Sequence, residues 1–91
     1  MISKFSHGQV VSTPAALEAI EQSGQTPEFF LDRHVKGDWG CVCADDQEAN
    51  DAALVEGERI LSAYETLKGV RIWIITEADR SSTTILLPTE Y

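Results

Sequence analysis

The segment Val70-Arg71-Ile72-Trp73-Ile74-Ile75-Thr76 constrains this chain more than any other stretch. It is dense in β-branched and aromatic residues, too short for a buried helix, and set off by the turn Leu67-Lys68-Gly69. Its nearly unbroken apolar run predicts a central strand covered on both faces. Ile60-Leu61-Ser62-Ala63-Tyr64 reads as the strand before it. After the polar connection Glu77-Ala78-Asp79-Arg80-Ser81, Thr83-Thr84-Ile85-Leu86-Leu87 returns antiparallel until Pro88 ends the ladder. The last third of the chain is therefore a β-meander.

The first half has a different period. Val10-Val11 suggests a short first strand, whose membership of the sheet the sequence leaves open. Thr13-Pro14 reads as an N-cap followed by Pro at the first helical position. Ala16, Leu17 and Ile20 then share one helical face, and Gly24 is the stop. Thr26-Pro27-Glu28 repeats the start signal. A second helix running to about Val35 groups Phe30, Leu31 and His34 and stops at Gly37, giving a helical hairpin. Asp38 to Cys43 is a glycine-bounded loop. Asp45 with Glu48 three residues on predicts a capping box for a third helix over roughly 47–55, with Ala49, Ala52, Ala53 and Leu54 inward. The whole predicts one α+β domain over 1–91: two or three short N-terminal helices on one face of a three- to four-stranded antiparallel sheet.

Charge narrows the function classes. Seven Lys and Arg face fifteen Asp and Glu among 91 residues, a net charge of -8. Such a surface repels phosphate backbones, so direct nucleic-acid binding and a polybasic membrane anchor are not expected. It suits a partner with a basic surface, and it also serves simple solubility. No apolar stretch reaches the ~18 residues of a membrane span, and the first residues have no apolar core of a secretory signal. Cys41 and Cys43, one residue apart, would close a strained ring if bridged, so free thiols in a reducing cytoplasm are expected.

Several segments together resemble a known family: Gly8 to Ala19, Arg33-His34 with Gly37-Asp38-Trp39-Gly40, Arg59 to Tyr64, and Arg71 to Arg80 through Leu86-Leu87-Pro88-Thr89-Glu90-Tyr91. The family is one of small uncharacterised bacterial proteins, alike end to end and often encoded on plasmids and integrated mobile elements. The resemblance implies a free-standing mobile-element protein and carries no activity. Cys41 and Cys43 lie outside its pattern.

Two clusters carry polar chemistry. His34-Val35-Lys36-Gly37-Asp38-Trp39-Gly40 places an acid–base pair beside a stacking ring, and its letters equally describe a helix C-cap with a docked loop. Asp79-Arg80-Ser81-Ser82-Thr83-Thr84 offers an anion-binding Arg among hydroxyls, or a turn that fills its own hydrogen bonds. His34, Cys41 and Cys43, with His7 or Asp38, form a weak zinc constellation, because Cys-x-Cys spacing without a second pair fits structural zinc poorly. No cofactor motif is present.

Three readings follow. The first is a non-enzymatic binding module that engages a host or element protein with a basic surface, the acidic run Asp45, Asp46, Glu48 and Asp51 imitating a phosphate array, with Trp39, Asp79 and Arg80 as further contact residues. The second is a small barnase- or RelE-like ribonuclease of the toxin type, with His34 as acid or base, Arg80 as phosphate clamp and Tyr64 or Thr83 orienting. The third is an oligomeric structural or regulatory subunit, a homodimer joined through an open sheet edge formed by Val70 to Thr76 or Thr83 to Leu87.

Overall fold

A computed structural model describes residues 3–91. The elements run β1 (Gln9–Ser12), α1 (Pro14–Gln22), α2 (Pro27–Val35), α3 (Ala44–Glu56), β2 (Ile60–Glu65), β3 (Arg71–Thr76), β4 (Ser82–Leu86) and a 3-10 turn at Pro88–Glu90. The class is α+β, with all three helices ahead of the meander. The strand order is β1-β4-β3-β2. β2, β3 and β4 pair antiparallel, but β1 joins β4 in parallel, Val10 opposite Thr83, so the sheet is mixed where an all-antiparallel one was expected. A parallel neighbour requires a long crossover, and the three helices supply it.

Both Thr-Pro signals start helices as expected. Thr13 Oγ1 accepts from Ala16 N–H at 3.2 Å and Thr26 Oγ1 from Phe29 N–H at 3.4 Å, with Pro at the first helical position in each case. α2 ends as a Schellman turn. Gly37 takes φ +85° and donates to His34 C=O, while Asp38 N–H reaches back to Arg33 C=O at 2.9 Å.

The third helix differs from expectation. It starts at Ala44 behind Cys43, not behind Asp45, and buries only Asn50 and Ala53, with Leu54 half-buried and Ala49 and Ala52 exposed. The cause lies in the loop before it. Trp39 C=O and Cys41 N–H bond the two backbone groups of Ala63 on β2, which fixes where the helix begins. Gly40 sits between them at φ +75°, where any Cβ would strike Ala63 O and the Tyr64 ring.

The helices cover one face of the sheet. Ala16, Ile20 and Phe30 pack there on Tyr64, Ile72, Ile74 and Ile85, and a second cluster joins Trp39, Ala53 and Ile60. On the opposite face Trp73 and Ile75 are met by the C-terminal turn: the Trp73 and Tyr91 rings lie edge to face at 5.5 Å, and Arg59 donates to Tyr91 Oη at 2.8 Å. The two-sided apolar run of β3 thus belongs to an interior strand. So does β4, which corrects the open edges expected at Val70–Thr76 and Thr83–Leu87: the sheet's two edges are β1 and β2.

Candidate functional site

Three of the four residues of the ribonuclease reading lie in the core. His34, Tyr64 and Thr83 are each fully buried. His34 Nδ1 meets Ser62 Oγ at 2.5 Å and Nε2 meets Thr76 Oγ1 at 2.8 Å; Thr76 Oγ1 meets Thr83 Oγ1 at 2.7 Å, and Thr83 bonds His7 C=O at 2.7 Å. The carbonyl at the end fixes every proton, because it only accepts. Thr83 must donate to it, so Thr76 donates to Thr83 and His34 Nε2–H donates to Thr76. Ser62 then donates to the bare Nδ1. His34 is therefore the neutral Nε2–H tautomer, with both nitrogens occupied.

Burial pushes the His34 pKa down to about 3, with smaller contributions from His7 and Arg80. The Phe5 ring lies edge-on at 5.1 Å and the Trp39 ring at 6.0 Å. The row Ser62, Thr76, Thr83 and His7 crosses from β2 over β3 and β4 to the segment leading into β1. It is a polar seam through an otherwise apolar layer. Both ring nitrogens of the fully buried His34 are spent on this seam, so the ring is a core hydrogen-bond bridge.

Tyr64 is likewise engaged. Its hydroxyl donates to Asp38 C=O at 2.6 Å, and burial pushes its phenol pKa up. The Arg33 guanidinium lies 4.6 Å over its ring and pairs with Asp38 at 2.7 Å, which holds the Asp38 carboxyl below its ordinary value. Arg80, at φ +61°, spends its guanidinium on four carbonyls: Ala53 and Glu58 at the end of α3, and Glu77 and Ala78 in its own hairpin. It is a helix-end clasp where an anion clamp was one expectation. Asp79 accepts from Ser81 N–H at 3.0 Å and sets that turn.

The stacking role offered for Trp39 does not fit its burial. It is 5% exposed and donates Nε1–H to Asp51 Oδ1 at 3.1 Å. Cys41 and Cys43 are free and exposed, whereas His34 is fully buried with both nitrogens committed, so these three cannot share a metal. Among the described residues no group of three His, Cys, Asp or Glu gathers as a metal site.

What reaches the surface is α3. Asp45, Glu48, Ala52 and Val55 follow helical spacing along the face opposite Asn50 and Ala53, flanked by Asp51 and Glu56, while Asp46 is exposed in the first turn above Asn50. Asp45, Asp46, Glu48, Glu56 and Glu58 make no side-chain hydrogen bond or ion pair with any described residue; the two ion pairs found there are Arg33–Asp38 and Arg59–Glu77. Asp45 and Asp46 lie in the first turn, where they complement the helix dipole. Glu56 closes the opposite end, where the dipole disfavours anions, and Glu58 follows just beyond it.

Asn50 holds this face in place, and sequence reasoning missed it. Its amide donates to Leu61 C=O at 2.7 Å and accepts from Leu61 N–H at 3.1 Å, so one side chain fastens α3 to the outer edge of β2. The available signal was an Asn at the helical position that shares a face with Ala53 and Leu54. No family model, curated protein or solved structure matches the chain.

Proposed function

We propose that the protein is a binding module whose α3 face engages a protein with a basic surface. One observation carries the reading: a helix locked rigidly to the sheet by Asn50 presents carboxylates that have no partner among the described residues. At ~1.5 Å rise per residue, Asp45 and Glu48 stand ~4.5 Å apart along the axis, with Glu56 ~12 Å further on. The first spacing is of the order of the charge spacing along a nucleic-acid strand, which cationic side chains normally track. Val55, 87% exposed, adds an apolar contact within the acidic field. In the mobile-element setting that the resemblance implies, such a partner is a nucleic-acid-binding host or element protein. The engagement of His34, Tyr64, Thr83 and Arg80 in the scaffold favours this reading over the ribonuclease one.

The test is a nuclease-treated pull-down from bacterial lysate at low and moderate salt. A stoichiometric basic partner is expected at low salt and is lost as salt rises. The variant Asp45→Asn/Asp46→Asn/Glu48→Gln/Asp51→Asn is expected to retain less than a tenth of it. The amide oxygen at position 51 still accepts from Trp39, so circular dichroism should be unchanged. Equal capture by the variant refutes the proposal.

A further inference from the structure

The two edges of the sheet are treated differently. On β2, the side chain of Asn50 satisfies Leu61 and the loop at Trp39 and Cys41 satisfies Ala63, so this edge is covered at both of these positions. On β1, Gln9 N–H and Thr13 N–H donate to Ser81 and Ile85 C=O, both at 3.0 Å. Strand alternation then points the backbone groups of Val10 and Ser12 away from β4, and no described residue bonds them. Besides shortness, which the four residues of β1 do supply, edge strands are ordinarily blunted by charge, Pro or a bulge. Gln-Val-Val-Ser carries none of these, and Val10 and Val11 are 36% and 45% exposed.

We propose that β1 pairs antiparallel with β1 of a second copy, joining two four-stranded sheets into one of eight. Charge selects this occupant. Two bodies of net charge -8 repel one another except where charge is sparse, and Gln9–Ser12 is uncharged. Its position across the sheet from α3 puts the two acidic helices at the far ends of the dimer. Strand order places β1 three strand spacings, ~15 Å, from β2, and α3 packs beyond that. The register follows from symmetry. A two-fold axis at Val11 sets Val10 opposite the partner's Ser12, so the outward N–H and C=O groups of both residues close four hydrogen bonds. The two Val11 side chains then meet as a non-hydrogen-bonded pair with Cα atoms ~4.5 Å apart.

Size-exclusion chromatography with light scattering reads the mass of the wild type and of Val10→Pro. Proline at position 10 removes an outward N–H and leaves the bonds to β4 intact. The wild type is expected at twice the 10.0 kDa chain mass at high concentration, and Val10→Pro at the single mass. In a Cys41→Ser/Cys43→Ser background, Val11→Cys is expected to cross-link into dimers under mild oxidation, since this pairing meets disulfide geometry. Val70→Cys, exposed beside the turn before β3, is expected to form no covalent dimer under the same oxidation. A wild type that is monomeric throughout, a dimer indifferent to Val10→Pro, or equal cross-linking from position 70 overturns the pairing. None of these readouts depends on the α3 partner.

Discussion

His34→Ala is expected to lose on the order of 3–5 kcal/mol of stability, a large fraction of the roughly 5–15 kcal/mol that keeps a domain folded. The substitution empties a fully buried site and breaks two bonds at once. Ser62 is left with a buried donor and Thr76 with an unused lone pair, each of which loses its partner in the fully buried layer. The pH dependence distinguishes this account from loss of volume alone. The folded ring takes its proton only near pH 3, whereas an unfolded ring takes it near 6.5. Between those values the unfolded chain holds the extra proton, so stability is complete above pH 6.5 and falls as pH drops toward 3. The steepest loss is about 1.4 kcal/mol per pH unit. Denaturant titrations from pH 7 to 4 should show this slope in the wild type and not in His34→Gln. A His34 ring that titrates near 6.5 in the folded protein by NMR would refute the buried neutral bridge.

The second large effect is expected at Asn50. Asn50→Leu removes both bonds to Leu61 and leaves that residue's N–H and C=O facing an apolar side chain, at a cost of roughly 2–4 kcal/mol. Asn50→Asp keeps the acceptor but sets a carboxylate against the Leu61 carbonyl, so it should be no better. Hydrogen exchange supplies the specific readout. The Leu61 amide, protected in the wild type, should exchange at least tenfold faster in Asn50→Leu, together with the Ala63 amide as the neighbouring loop loosens. Unchanged protection at Leu61 would mean that the edge is covered by something other than Asn50.

The parts legible in the sequence are those fixed by local chemistry. Thr13-Pro14 and Thr26-Pro27 start their helices because cap and φ restriction act within four residues. Val70–Thr76 declared an interior strand because its apolar residues fall on both faces. Non-local facts left no such trace. The pairing of Val10 with Thr83 spans most of the chain, and nothing in a four-residue strand names its neighbour. Ser62 and Thr76 are ordinary strand residues until His34 is placed between them. Asp45 resembled a cap, a preference of ~1 kcal/mol that the tether of Cys41 to Ala63 outweighs by starting the helix two residues earlier. The sequence offers His34 as an acid–base group or a helix cap, and Arg80 as an anion clamp or a turn residue. Their chemistry is turned inward, the one to a core bridge and the other to the end of α3.

The claim that α3 is the surface a basic partner selects is tested most directly by amide chemical-shift mapping. The ¹⁵N-labelled protein is titrated at low salt with an arginine-rich peptide. Shifts concentrated at Ala44–Glu56 and abolished by moderate salt are predicted, with Gln9–Ser12 and the Trp73 face silent. Shifts spread evenly over the exposed carboxylates, or centred away from α3, would contradict the account.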